Sequence, residues 1–481
     1  MSRKQILTKK VAHTLLAMSI VSASGLNLWA GTAWAADDGL DGDNKIVENV
    51  TIDESYIDNA DPVVGKDGEN GQRGSGGNDN GGNGGKGGSA ALSGALTVND
   101  SNKAVSVTVK GGNGGNGGDQ SAQTNAITGN GGSGGEAELQ LTVGSDVQTG
   151  ALTLNAEAGN GGNGGSDTAD RAPTSEVTVG NGGAGGNAAA GIAITDGSLT
   201  ATSISLTAKA GSAGYVGSVR KEGKDNHGGD GGTAGTASIK GLVLSGQQAA
   251  VKVANNIVIT GTGGKGGNGG STYGEAGLAA VGGAAEAYGL VAAGNGTYAV
   301  QFADLTLQAT GGNGGSGGNT SIFYNQTTNN SQGDPYMSTD GADGGNAVGK
   351  GLLVENGDVQ LTAENITSTV AGGNGGGAGD NNKANRRDAA AKVANAGQGG
   401  TASATGIAVT GGLADKLSIG AIKAAATGGK GGTGANGSFD NVHDGTDGEQ
   451  GGVGGAGGEA YAYGLFSSSS TKITADSITA E

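Results

Sequence analysis

The sequence predicts an all-β protein, a parallel β-solenoid or β-helix with glycine-rich tracts of polyproline-II type between its strands. First, tracts such as GGNGGSGG at 311–318 repeat with a period of three, which fits a polyproline-II turn rather than an α-helix or a strand. Second, segments such as 257–260 alternate apolar and polar residues, as half-buried strands do. Third, a Gly-Leu or Gly-Ile pair recurs at spacings of 50, 48, 62, 55 and 58 residues, at 191, 241, 289, 351, 406 and 464. Periods of this size are typical of solenoids.

The glycine tracts are the most repeated element, with close relatives of 311–318 at 81–88, 111–118, 263–270 and 451–458. A single tract cannot order itself, because fixing each backbone costs roughly 1–2 kcal/mol and an isolated polyproline-II helix makes no internal hydrogen bonds. The tracts are therefore either flexible linkers or members of a packed array. Their strict period and their low serine content favour the array.

The N-terminal region predicts export. Its basic residues are Arg3, Lys4, Lys9 and Lys10. An apolar run from Leu15 to Trp29 and the small-x-small pattern ending at Ala35 follow, as in a secretory signal peptide. Serines interrupt the run, which is shorter than the roughly 20 apolar residues of a membrane span. We expect residues 1–35 to be removed between Ala35 and Ala36, leaving an exported chain that is not inserted in the membrane.

Composition excludes several classes of protein. The chain has no cysteine, hence neither disulfides nor thiolate metal sites. It has 108 glycines but 3 prolines among 481 residues, too little proline for collagen. The 27 basic and 44 acidic residues become 23 − 44 = −21 once the four basic residues of the signal are removed. A strongly acidic chain without a basic stripe argues against nucleic-acid binding.

After the signal, residues 36–80 read as an acidic lead-in with a capping strand at 46–47 and 50–52. Residues 81–481 form about eight repeat units of roughly 46–62 residues. One unit has too few apolar residues to fold alone, so the units are expected to stack. The final nine residues, ITADSITAE, match 361–369 inside an earlier repeat. We therefore expect this sequence to be a fragment of a longer protein.

Inserts of variable length interrupt the repeats at one place, at 166–175, 215–227, 319–342, 379–398 and 438–450. Such variation is typical of surface loops on one face of a solenoid. The alanines of 386–394 favour a short helix. The longest insert carries Phe323, Tyr324 and Tyr336 among amide and hydroxyl side chains. These aromatic residues either contact glycans or protein surfaces or pack together to hold the insert.

The long signal, the absence of cysteine, the acidic repeats and the Gly-Leu/Ile units together resemble the passenger region of Gram-negative autotransporter-type (type V secreted) adhesins. In that family the passenger is a parallel β-helix. The resemblance implies a secreted or cell-surface adhesin, or a structural rod that presents loops. Its partners would be glycans or proteins of host or sister cells. The tracts, such as 451–458, are also similar to glycine-rich repeats of mycobacterial surface proteins and of antifreeze proteins.

Two alternative functions can be weighed from the residues. A polysaccharide-active β-helix enzyme would need convergent carboxylates, and His227 and His443 lie in polar loops with no evident nucleophile or metal partner. An ice-binding protein would need a regular row of threonines, and Thr200 and Thr202 find no repeat in register. We therefore expect an adhesin or rod rather than an enzyme, and these two functions are the alternatives.

Cofactor and metal sites are not predicted either. GxGxxG-like matches occur throughout the tracts without the strand-to-helix context of a nucleotide site. The calcium-binding nonapeptide needs an aspartate two residues after its third glycine, and Asp230 stands elsewhere. Acidic segments such as 444–449 either bind calcium loosely or form solvated turns.

Overall fold

The computed structural model describes residues 37–54, 56, 61–74, 80–121, 126–167, 177–219, 226–272, 275–322, 338–383, 394–435, 452–468 and 471–481. These residues belong to the compact unit 35–481, which is separate from unit 1–34. Among them, no helix is long and apolar enough to cross a membrane.

The unit is all-β, as predicted. Its strands are β1 (Lys45–Ile52), β2 (Val63–Val64), β3 (Ala90–Leu96), β4 (Asn99–Asp100), β5 (Val105–Lys110), β6 (Ala126–Ile127), β7 (Ala137–Val143), β8 (Val147–Glu157), β9 (Val177–Thr178), β10 (Ala188–Ile194), β11 (Gly197–Lys209), β12 (Ala237–Leu244), β13 (Gln248–Val253), β14 (Asn256–Thr262), β15 (Ala285–Ala292), β16 (Thr297–Thr310), β17 (Thr320–Ile322), β18 (Ala347–Val354), β19 (Asp358–Ala371), β20 (Asn381–Lys383), β21 (Ala402–Val409), β22 (Leu413–Thr427), β23 (Ala460–Ser467) and β24 (Thr471–Ala480).

Two large parallel sheets contain most of these strands. Within the described residues, the first sheet has nine strands in the order β1-β3-β7-β10-β12-β15-β18-β21-β23. The second follows β2-β5-β8-β11-β13-β16-β19-β22-β24, with β4 and β14 off this path. From β7 onwards each repeat contributes one strand to the first sheet and one or two to the second. The strand segment predicted at 257–260 lies in β14.

Register follows the repeat spacing. The first residues of the strands from β3 onwards in the first sheet form one column of paired alanines, Ala90, Ala137, Ala188, Ala237, Ala285, Ala347, Ala402 and Ala460. The glycines of the predicted Gly-Leu/Ile pairs also stack on one another. A Cβ on Gly241 would lie 1.9 Å from the carbonyl oxygen of Gly289, and one on Gly351 would lie 2.6 Å from that of Gly406. Glycine recurs at this position because the backbones approach too closely for a side chain.

The two sheets pack on each other through one cluster of buried apolar side chains. Alternate residues of the inner strands, such as β5, β7 and β8, enter this cluster, as the period of two predicts. In β7, for example, Leu139 and Leu141 are buried, Gln140 between them is partly exposed, and Glu138 before them is exposed. The side chains facing them from the second sheet include Leu152 and Leu154 of β8. The predicted alternation of a buried and a wet face is confirmed.

Between a first-sheet strand and the next second-sheet strand the chain turns sharply. Gly412 has a φ of 71° at this corner, and Gly197 and Gly357 occupy the same corner of other repeats with φ of 73° and 81°. This left-handed conformation favours glycine. Glycine at this corner therefore allows the sharp turn between the two sheets.

The glycine tracts run between the sheets and the inserts, and neighbouring tracts supply the hydrogen bonds that a single tract cannot make. In the triplet 161–163, the N–H of Gly161 donates to the carbonyl of Ser212, one repeat further on, at 2.9 Å. The N–H of Gly162 donates to the carbonyl of Gly132 in the facing tract at 2.7 Å. The N–H of Asn163 donates to the side-chain oxygen of Asn116, one repeat earlier, at 2.8 Å. All three donors of the triplet are satisfied.

This packing explains the composition of the triplet. A Cβ on Gly161 would lie 2.0 Å from the carbonyl oxygen of Gly183, and one on Gly162 would lie 2.0 Å from that of Gly115. Real Cβ atoms do not approach so closely. Only the third position has room for a side chain, and an Asn or Asp there accepts the N–H of the repeat that follows.

Hydrogen bonds of the same kind also join residues 36–80, the expected lead-in, to the tracts of the first repeats. The N–H of Gly68 donates to the carbonyl of Asn113 at 2.8 Å, and the N–H of Gly39 donates to that of Asn83 at 2.7 Å. The predicted capping strand is β1, which pairs with β3. The helix expected at 386–394 lies outside the described residues, except for Ala394.

Candidate functional site at the insert bases

The predicted binding residues Phe323, Tyr324 and Tyr336 lie outside the described residues, as do the cleavage-site residues Ala35 and Ala36. The structure does describe both ends of the inserts, where the chain leaves one glycine tract and enters the next. We call these ends the insert bases.

On the outgoing side, the second residue after a tract is polar and buried in four repeats. These residues are Gln120, Asp167, Thr272 and Thr320, with 0, 3, 4 and 0% exposure. Parallel bridges join Gln120 to Asp167 and Thr272 to Thr320. In the longest insert the pairing widens into a small sheet, in which β17 pairs with β20 of the following repeat. The outgoing bases are thus held in register.

On the returning side, β6 pairs with β9, and single bridges continue from Thr178 through His227 to Glu275. The backbone N–H of His227 donates to the carbonyl of Val177 at 2.7 Å. The Nδ1 atom of His227 lies 3.1 Å from Oε2 of Glu275, and both side chains are largely exposed. His227 is therefore part of the stacking of the bases. His443, the other candidate histidine, lies outside the described residues.

Threonines close two of the inserts. The N–H of Gly318 donates to Oγ1 of Thr339 at 2.7 Å, and the N–H of Thr339 donates to the carbonyl of Gly318 at 3.2 Å. The hydroxyl of Thr339 also donates to the carbonyl of Gly277 at 2.6 Å. The hydroxyl of Thr128 donates to the carbonyl of Gly165 at 2.5 Å and accepts the N–H of Gly180 at 2.6 Å, so it joins the two ends of the insert in the next repeat. The longest insert therefore begins and ends at a closed, hydrogen-bonded base.

Titratable groups in the described part of the chain are mostly exposed. Nζ of Lys66 donates to Oδ2 of Asp43 at 2.6 Å, and this hydrogen bond together with the charges lowers the pKa of Asp43 and raises that of Lys66. The hydroxyl of Tyr461 donates to the carboxylate of Glu459, which raises the tyrosine pKa. Among the residues described, no group of three or more His, Asp or Glu side chains could hold a metal ion.

Threonine rows on the second sheet differ along its strands. Thr200 lies between Gln148 and Lys252 on its neighbouring strands. Other positions do bring threonines together, as in the pairs Thr207–Thr260, Thr262–Thr310 and Thr306–Thr367. Charged or amide residues interrupt each of these rows, for example Lys423 after Thr367 and Gln308 after Thr260.

Sequence reasoning missed the buried polar residues of the outgoing bases. A signal was present, since each of the four is the second residue after the last glycine of its tract. Polarity suggested an exposed loop, whereas stacking between repeats buries these side chains.

Comparisons with family models, with curated proteins and with solved structures find no match to this chain.

Proposed function

We propose that this chain is an exported, cell-surface protein built as a parallel β-solenoid rod, which acts as an adhesin or spacer by presenting its inserts. In this proposal the glycine tracts are polyproline-II-like strands that carry the inserts away from the two sheets. The stacked register of both sheets and the bonding between tracts support the solenoid. The basic and apolar features of residues 1–35 support export. N-terminal sequencing of secreted protein should begin at Ala36, and material that retains Trp29 and Trp34 would contradict this step.

The closed base of the longest insert is the observation that carries the proposal. Gly318 and Thr339 bond to each other and to the tract of Gly277, so the intervening residues can vary without opening the stack. Recognition concentrates on loops held by a rigid scaffold. The insert between these residues is also the one with Phe323, Tyr324 and Tyr336. Its proposed partners are glycans or proteins on host or sister cells.

Deleting residues 323–337 tests this proposal. The variant keeps Gly318 and Thr339, so we expect unchanged β content and a stability change of only about 1 kcal/mol from the shorter loop. Binding to host or sister cells should fall. Deletion of 384–393 in the next insert, which has no aromatic residue, is the control and should leave binding intact.

The outcomes separate the alternatives. If the deletion abolishes the cooperative melt, the insert is structural and its aromatic residues hold the fold together. If binding survives both deletions, the longest insert is not the adhesive element. Equal loss in both deletions would show that insert length, rather than the aromatic residues, determines binding.

A further inference from the structure

A groove crosses the outer face of the second sheet, away from the insert bases. One row of its side chains is in register on five neighbouring strands, Lys252, Gln301, Thr362, Ser418 and Thr474. The residues just before the first four of these, Val251, Val300, Leu361 and Leu417, are buried in the core. Because neighbouring residues of a strand point to opposite faces, the row itself faces outward.

A second row runs beside the first and completes the groove. It comprises Ala250, Ala299, Gln360, Lys416 and Lys472. The cavity has a volume of 730 Å³. Ala250 and Ala299 at one end of this row have short side chains, which deepen the groove there. Lys416 and Lys472 lie at the other end. The five strands span about 19 Å at their usual spacing of about 4.8 Å.

The groove is positively charged, whereas the protein as a whole is negatively charged. Three lysines, Lys252, Lys416 and Lys472, line it without any carboxylate, in a chain whose formal net charge is −17. Within the described ranges, none of the three forms an ion pair. Lys416 and Lys472 stand just before the paired residues Leu417 and Ile473 on adjacent strands, and like charges on adjacent strands are destabilising. No carboxylate is among the described residues that line the groove, and an anionic ligand would offset the repulsion between the lysines.

We propose that this groove binds an extended acidic polysaccharide whose sugars bear carboxylates. The length across five strands suits a linear polymer. Lysines would bind carboxylates through charge-assisted hydrogen bonds, and the amides and hydroxyls of Gln301, Gln360 and Thr362 would bind sugar hydroxyls. Single-stranded nucleic acid fits less well, because its binding sites use aromatic side chains for base stacking and no aromatic residue lines this groove. The site is separate from the inserts and does not depend on their proposed role.

The test compares two variants of equal charge in the whole chain. The groove variant is Lys252→Gln, Lys416→Gln and Lys472→Gln, and all three lysines are exposed. The control is Lys86→Gln, Lys265→Gln and Lys430→Gln, exposed lysines on the glycine tracts. The probe is polygalacturonate at low ionic strength, with uncharged dextran as the neutral reference, and binding is measured by calorimetry.

We expect the wild type to bind polygalacturonate but not dextran, and binding to weaken as salt is added. The groove variant should bind roughly tenfold or more weakly, whereas the control should stay within about twofold of the wild type. The deletion of residues 323–337 should bind polygalacturonate as the wild type does. Circular dichroism should show the same β content for every variant.

Other results overturn the proposal. Absence of polygalacturonate binding by the wild type would do so, as would equal binding of dextran. If both triple variants lose the same binding affinity, the net charge of the protein, rather than the groove, determines binding. Binding of dextran sulfate alone would contradict the carboxylate specificity. If the triple variant loses β content, the single variant Lys416→Gln takes its place, and unchanged affinity in that variant and in Lys472→Gln would equally contradict the groove.

Discussion

The two sheets and the glycine tracts stack in the same repeat but use side chains in opposite ways. In the sheets, apart from the stacked glycines of the Gly-Leu/Ile pairs, the strands have room for side chains, and side chains such as Leu206 fill the space between the layers. In the tracts the backbones approach so closely that a Cβ at Gly162 would lie 2.0 Å from a neighbouring carbonyl oxygen. A buried position of a sheet should therefore tolerate an apolar side chain of different shape better than a polar side chain. At two positions of three most tracts have glycine, and some have alanine, as at Ala213 and Ala342.

This difference also explains where variation enters the chain. The third position of a triplet, as at Asn163, points outward and accepts Asn, Ser, Lys or Asp in different repeats. Threonine hydrogen bonds close two of the described insert bases, and the inserts vary in length. A repeat of this kind confines sequence change to one edge and to the outer faces of the sheets.

Leu206→Ala, in the second sheet, should lower the free energy of unfolding more than the tract variants described below. Leu206 is fully buried in β11, and removing a buried leucine side chain costs about 2–5 kcal/mol through lost burial and the cavity left behind. The urea midpoint of unfolding measures the change. Thr207→Ala, the neighbouring residue on the outer face, is the control and should change stability by no more than about 0.5 kcal/mol. Similar losses in both variants would show that β11 is not packed as described.

Gly162→Ala should have the second largest effect on stability. It adds a single methyl group to a tract, at a position where the neighbouring backbone leaves no room for it. The new Cβ would meet the carbonyl of Gly115 at 2.0 Å, and such overpacking costs about 1–3 kcal/mol. Gly261→Ala in β14 is the matched control, because its Cβ would meet the Ala287 side chain at an ordinary 3.6 Å. That variant should be neutral or stabilised by up to about 1 kcal/mol, since alanine restricts the unfolded chain. Equal effects would contradict the distinction between sheets and tracts.

Asn130→Ala should have the smallest effect on stability of the three variants. It tests whether the side chain at the third position of a triplet accepts a hydrogen bond from the next repeat. Oδ1 of Asn130 accepts the N–H of Asn181 at 2.8 Å, and one such hydrogen bond contributes about 1 kcal/mol. Asn130→Asp keeps the acceptor, as Asp230 does naturally for the N–H of Leu278. Amide exchange of the Asn181 N–H should quicken in the alanine variant and remain slow in the aspartate variant. Fast exchange in the wild type would contradict the hydrogen bond.

Much of this architecture could be read from the repeat. The Gly-Leu/Ile pairs placed the first-sheet strands, and alternation within segments such as 257–260 identified the buried face of second-sheet strands. The tracts were harder, because a glycine triplet is equally consistent with a linker until its partners are known. The hydrogen bond from Asn181 to Asn130 joins residues 51 apart, and only the stacking brings them together. The aromatic residues of the longest insert remain a prediction from the sequence.

The sequence by itself determined the all-β class, the repeat length and the two positions of each triplet that are mostly glycine. These follow from local periodicity and composition, which act within a few residues. The tertiary structure decided which residues become neighbours between repeats, because inserts of unequal length hide the register along the chain. Lys252, Lys416 and Lys472 meet in one groove, and Gln120 becomes buried beside a glycine tract, only once the repeats are stacked.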